Sequence, residues 1–181
     1  RHVDEAVAAA ALAFGQDDHR ALLRHAALHD HVTGAGNRTK LMEDAVTILT
    51  TAALFIDLDE FKAVNDRFGH AIGDMVLRTV AERITDVVDG RGRLYRVGGD
   101  EFAGLLDDVP TAAPGAPLAG RCAIEIGAAL RLPYPVTEFV DVSLDVSIGT
   151  AVAGPGERAD HLLSRADEAL VLGAERGGED G

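Results

Sequence analysis

Between Leu94 and Leu105 the chain has to double back on itself. Leu94 to Val97 has strand character, and Phe102 and Gly104 alternate with Ala103 and Leu105 as in a second strand. The residues between them, Gly98-Gly99-Asp100-Glu101, form the tip of a predicted β-hairpin. Two glycines let a backbone lie close to a ligand, and two carboxylates follow at once. Acidic glycine turns are also ordinary solvated hairpin tips. What gives this tip weight is a second acidic turn upstream, at Asp57 to Glu60.

The rest of the chain supplies a sheet and helices around that hairpin. Val3 to Phe14 and His19 to His29 read as helices, broken by Gly15 to Asp18. Gly34 to Asn37 is a loop, and Arg38 to Thr47 resumes a helix with Leu41, Ala45 and Ile48 on one face. Ala52 to Ile56 is a short apolar run of buried-strand length, followed by a short helix over Phe61 to Arg67. Ile72, Val76, Val80, Ile84 and Val87 recur at helical spacing. Val109 to Gly120 reads as a connection, Cys122 to Leu132 as a helix broken by Pro133 and Pro135, and Val140 to Val152 as one strand. Leu162, Ala166, Ala169 and Leu170 mark a last helix, and the tail frays from Gly173. Strands interleaved with helices predict an α/β or α+β fold around one mixed sheet.

Composition narrows the function. The formal net charge is −13 and lysine occurs only at positions 40 and 62. Such a chain lacks the basic surface that displaces counterions from nucleic acid. A nucleotide remains acceptable if metal ions and backbone dipoles neutralise its phosphates. No stretch approaches the ~20 apolar residues of a membrane span. The single cysteine, Cys122 in an apolar helical context, excludes an internal disulfide framework and suits a reducing cytoplasm.

Alternation puts Asp57 on the face of Phe55, at the carboxyl end of its strand, where open sheets commonly place ligands. A carboxylate there must be solvated, paired or bound to a metal. With a second carboxylate from the hairpin tip, hard oxygen ligands can gather around Mg²⁺. Asp59 stands where a helix N-cap belongs and is read as one. Asn65, Asp66, Gly69, His70, Gly73 and Asp74 follow, each with an ordinary structural explanation, such as an i,i+4 pair of Asp74 with Arg78.

Taken as ordered runs, Asp57 to Asp74 and Arg96 to Phe102 resemble the GGDEF domain of bacterial diguanylate cyclases. Flanking segments agree: Asp30 with Val32-Thr33-Gly34 and Asn37-Arg38, Val146-Ser147-Ile148-Gly149, and Arg165 to Leu170. The resemblance spans roughly residues 28–175. It implies a palm-like, nucleotide-cyclase-like fold with a mixed, largely antiparallel central sheet flanked by helices. It divides the chain into an N-terminal helical linker (1–29), the GGDEF domain (30–176) and a tail or linker (177–181). It implies condensation of two GTP into cyclic di-GMP with release of pyrophosphate, by a cytoplasmic homodimer using Mg²⁺ or Mn²⁺. Asp57 and Asp100 become metal carboxylates, with the Leu58 carbonyl assisting and Glu101 beside them. Asn65 and Asp74 read the guanine edge, Lys62 meets phosphates, Phe61 and His70 adjoin the substrate, and Gly98 and Gly99 admit it closely.

The chain departs from the family pattern twice. Active members carry a lysine and then an arginine after the Ala-Asp of the last helix, and those positions here are Ala174 and Gly178. The family's product-inhibition motif, Arg-x-x-Asp, is replaced by Asp89-Gly90-Arg91-Gly92. The first departure keeps a second expectation alive: a catalytically weak or inactive GGDEF domain that binds GTP and regulates a fused domain such as a cyclic di-GMP phosphodiesterase, a fused sensor domain being the other partner the resemblance allows.

Overall fold

Ala52 to Ile56 is apolar on both sides of its alternation, so it can satisfy burial only in the middle of a sheet. In a computed structural model of the chain, which describes residues 19–47, 52–88, 90–107, 118–137, 140–154 and 156–177, it does so. The elements in order are α1 (residues 19–28), β1 (Gly36–Asn37), α2 (Arg38–Thr47), β2 (Ala52–Leu58), α3 (Phe61–Phe68) and α4 (His70–Val88). There follow β3 (Gly92–Arg96), β4 (Glu101–Leu106), α5 (Leu118–Leu130), β5 (Tyr134–Thr137), β6 (Val140–Val142), β7 (Val146–Val152) and α6 (Ala159–Gly177).

The main sheet has the order β1-β3-β4-β2-β7. Every pairing in it is antiparallel except β1 with β3. This is the mixed, largely antiparallel sheet flanked by helices that the family resemblance implies. The alternation of β2 divides the core. Leu54, Ile56 and Leu58 join Val76, Val80 and Ile84 of α4 and Cys122, Ile126 and Leu130 of α5 on one face. Ala53 packs on the other face with Leu41 of α2 and Leu162, Leu163 and Ala166 of α6, with Phe55 against them. At about 25 cal/mol per Å² of apolar surface buried, this two-sided burial makes β2 the fixed reference for everything attached to its end.

The elements differ from the sequence reading in five places. Gly36 and Asn37, read as part of a loop, form β1, because their pairing partner is β3, a strand far along the chain that no local pattern reveals. The helix read from Cys122 starts at Leu118, and its C-terminus is closed by Arg83, whose guanidinium donates to the carbonyls of Ala129, Leu132 and Pro133. The stretch 140–152 is two strands: β6 pairs with β5 in a separate two-stranded sheet, and only β7 joins the main one. Pro135, read as a breaker, lies within β5, where a strand with one partner spares its missing N–H. The last helix runs on past Gly173 to Gly177. The helix read at Val3 to Phe14, Ile48, Asp89, most of the 109–120 connection and Gly178 fall outside the described residues.

Candidate functional site

β2 delivers Asp57 to its carboxyl end between two neighbours: Glu101 of β4 on one side and Ser147 of β7 on the other. The hairpin turn that follows β3 then folds back over this point. Its Val97 N–H donates to the Glu101 carbonyl at 3.0 Å, and the Leu58 N–H donates to the Asp100 carbonyl at 3.2 Å. The predicted hairpin and the predicted acidic strand end are therefore joined by a backbone hydrogen bond.

Their charges meet. Burial raises the Asp57 carboxyl above the ordinary carboxylate range, and the neighbouring charges of Asp100, Asp59 and Glu101 raise it further. Among the described residues, neither Asp57, Asp100 nor Glu101 has a side-chain hydrogen bond or ion pair to a protein group. Unpaired, mutually repelling carboxylates on an apolar strand end are a donor set that fits a hard divalent cation. Among the described residues no three His, Cys, Asp or Glu side chains form a ready-made cage. The protein thus supplies part of a coordination sphere, as suits a cation shared with a phosphate.

Beside this point lies a cavity of about 290 Å³ between α3, α4 and the hairpin. Phe61, Lys62, Asn65, His70, Asp74 and Asp100 line it together, as does Gly99. Asn65 and Asp74 come from different helices, and Gly73 leaves the room that the Asn65 side chain occupies: a Cβ there would stand 2.0 Å from Asn65 Oδ1. The i,i+4 pairing of Asp74 with Arg78 does not form, and Arg78 Nε donates to the Val32 carbonyl at 3.1 Å. Asp74 keeps its acceptor oxygens for the cavity.

Two expected residues behave differently. Asp59 is not the cap of α3. That position is Glu60, in a left-handed conformation (φ 55°) and without a side-chain cap, while the Asp59 carboxylate accepts from Ser147 Oγ at 3.0 Å. Gly98 makes room chiefly for the protein itself, since a Cβ there would stand 2.1 Å from Glu101 Oε2, whereas Gly99 faces open space. Glu101 lines a separate groove of about 330 Å³ on the α2–α6 face, with Arg38, Phe55 and Asp167.

Sequence reasoning gave Arg96 and Asp30 no role beyond their motifs. Arg96 Nη1 donates to Asp30 Oδ1 at 2.9 Å, and its Nη2 and Nε donate to the Gly99 carbonyl at 2.6 and 3.3 Å. Burial alone would raise the Asp30 carboxyl, but hydrogen bonds from Arg96 and Thr33 hold it below its ordinary value. The available signal was an arginine adjoining a glycine-rich turn.

The chain is similar to known proteins in sequence and in fold. The family profile described as diguanylate cyclase, GGDEF domain, matches residues 27–180. The bifunctional diguanylate cyclase/cyclic di-GMP phosphodiesterase MucR of Pseudomonas aeruginosa is 38% identical over 83% of this chain and 22% of its own length. Diguanylate cyclase DgcN of Escherichia coli is 34% identical over 81% of this chain and 37% of its own. The chain therefore spans a minor part of these curated relatives. Among solved structures, the coiled coil and GGDEF domain of DgcB from Caulobacter crescentus, in complex with c-di-GMP, superposes with a TM-score of 0.82 at 28% identity. That match covers 98% of this chain and 96% of the other. The GGDEF domain of TpbB from Pseudomonas aeruginosa gives 0.70 at 34% identity, covering 82% and 89%. On these matches and this geometry, the chain belongs to the GGDEF domain family of diguanylate cyclases.

Proposed function

We propose that this domain condenses two molecules of GTP into cyclic di-GMP, one GTP per protomer, with two domains meeting face to face. The observation that carries the reading is the adjacency of Asp57 and Asp100 to the cavity that holds Asn65 and Asp74. Asn65 and Asp74 offer the donor and acceptors that a guanine edge requires, with Asp74 accepting from the ring N1 and exocyclic N2. Phe61 and His70 form walls for the same nucleotide, and Lys62, exposed at the start of α3, meets its phosphates. Asp57 and Asp100 would hold Mg²⁺ or Mn²⁺, with the Leu58 carbonyl assisting and Glu101 beside them. When bound, that cation supplies Lewis acidity to the attacking 3′-hydroxyl and to the transferring and leaving oxygens.

In the reaction the 3′-oxygen of one GTP attacks the α-phosphorus of the other. The bond to the β-phosphate oxygen breaks, pyrophosphate leaves, and the same event in the opposite sense closes the ring. The protein's contribution is positioning: β2 fixes Asp57, the Leu58–Asp100 hydrogen bond fixes the hairpin, and α3 and α4 fix the base. In this reading residues 1–29 are the linker that brings two domains together, and 30–176 are the catalytic unit.

One observation favours a second reading, a GTP-binding regulatory domain with little turnover. Ala174, within α6, and Gly178 stand where the family resemblance implies cations that grip the triphosphate. Charge-assisted contacts are worth ~1.5–3 kcal/mol each, so their loss weakens GTP binding by orders of magnitude. Incubating the purified protein with GTP and Mg²⁺ and resolving the nucleotides by chromatography separates the two. Cyclic di-GMP that disappears in Asp100→Ala is expected. GTP bound but unconverted at high protein concentration would favour the regulatory domain.

A further inference from the structure

Resting on the cyclase reading above, we propose that Arg96 is a positioning residue: it sets the place of Asp100 and, through Asp30, ties that place to the end of α1. The Gly98–Glu101 turn has little else to define it. Its cross-turn hydrogen bonds are Val97 N–H and a longer one from Gly98 N–H, at 3.0 and 3.4 Å, both to the Glu101 carbonyl. Gly99 faces open space. The Gly99 carbonyl shares one rigid peptide plane with the Asp100 N–H. Clamping that carbonyl through Arg96 Nη2 and Nε therefore fixes the direction in which the chain enters Asp100. The Leu58 N–H holds the Asp100 carbonyl on the far side. Asp100 is thus pinned on both flanking peptide units, one from β2 and one from Arg96.

The other end of the clamp is Asp30. Its carboxylate accepts from Arg96 Nη1 and from both the N–H and the hydroxyl of Thr33, at 2.9, 2.9 and 2.8 Å. Its own backbone N–H donates to the Ala35 carbonyl and its carbonyl accepts from Gly34 N–H. This loop starts where α1 stops, and Asn37 Nδ2 ties back to the Ala27 carbonyl at 2.8 Å. A displacement of the end of α1 is therefore felt at Asp30, at the guanidinium and at the Gly99 carbonyl.

Arg96 also lines the cavity, so it has a rival role as a phosphate contact. Its geometry argues against that. The side chain is 12% exposed and three of its five N–H donors already have protein acceptors. A lysine, a single point donor, cannot reproduce the fork that spans a carboxylate and a carbonyl.

The test compares the full chain with Arg96→Met, Arg96→Lys, Asp30→Asn and the Arg96→Met/Asp30→Asn pair. It reads melting temperature, kcat, KM for GTP, and Mn²⁺ affinity by electron paramagnetic resonance without nucleotide. For Arg96→Met we expect kcat to fall about 100-fold, Mn²⁺ affinity about tenfold, and KM to stay within about threefold. Arg96→Lys keeps charge and fold and falls part of the way. Asp30→Asn falls less than Arg96→Met, and the pair falls no further than Arg96→Met alone, as for residues acting in one unit. A raised KM at unchanged kcat would make Arg96 a substrate contact and overturn the proposal. So would Mn²⁺ affinity and kcat within about twofold of the parent, and additive effects would remove Asp30 from the relay. If the parent protein makes no cyclic di-GMP, the cyclase reading fails, while the Mn²⁺ titration still decides the role of Arg96.

Discussion

Gly73 shows how one missing methyl group builds the cavity. It sits inside α4, where alanine would raise helix propensity by about 1 kcal/mol. The same methyl group would land 2.0 Å from Asn65 Oδ1 and displace that side chain. Gly73→Ala is therefore expected to melt at the same temperature or higher while GTP affinity falls about tenfold. Thermal melts and nucleotide titrations on one preparation check both halves. A variant that binds GTP as the parent does would remove Asn65 from the guanine site. At this scale the sequence was readable where local pattern decides. Asp57 ends an apolar run and cannot be explained as a cap. Asp59 looked like a cap and is not, because its partner Ser147 comes from another strand, 88 positions away in the chain. No local signal carries that distance. Arg96 and Asp30 were overlooked for the same reason, since their role exists only once α1 and the hairpin are folded together.

Between elements, one buried carboxylate ties α2 to β3 beside the packing of Leu41 with Tyr95. Asp44 of α2 accepts from Tyr95 Oη at 2.7 Å and from Lys40 Nζ at 3.0 Å. Burial alone would raise its carboxyl, but these hydrogen bonds hold it below the ordinary aspartate value. A carboxylate depressed in the folded state contributes stability that is complete above its unfolded pKa, about 4. That contribution is lost as pH falls through the lower folded value. Tyr95→Phe leaves Asp44 short of a donor and should cost about 1–3 kcal/mol at neutral pH. It should also make stability less steep in acid below about pH 4, which denaturant titrations from pH 7 to pH 2 would check. An unchanged acid limb would place the sensitivity elsewhere, with Asp30 the next candidate. Elements were legible when long and periodic, as α4 was. The division of 140–152 into β6 and β7 was not, because alternation continues through the break while the hydrogen-bonding partner changes from β5 to β2.

For the whole molecule, the proposed cyclase activity turns on the phosphate grip. Ala174→Lys with Gly178→Arg supplies the cations that the family resemblance implies and should lower KM for GTP at least tenfold, by the ~1.5–3 kcal/mol expected per charged contact. Initial rates over a GTP series measure it, and an unchanged KM would show that other groups already carry the triphosphate. The missing Arg-x-x-Asp motif at 89–92 predicts that added cyclic di-GMP does not slow the reaction through that site. The central claim is that two half-sites, each with Asp57 and Asp100 beside one guanine cavity, join two GTP. Following cyclic di-GMP and pyrophosphate together, at rising protein concentration with Mg²⁺, tests it most directly. The account predicts two pyrophosphates for each cyclic di-GMP, and a rate per protomer that climbs with concentration as domains pair. GTP that binds yet stays intact at every concentration would contradict it.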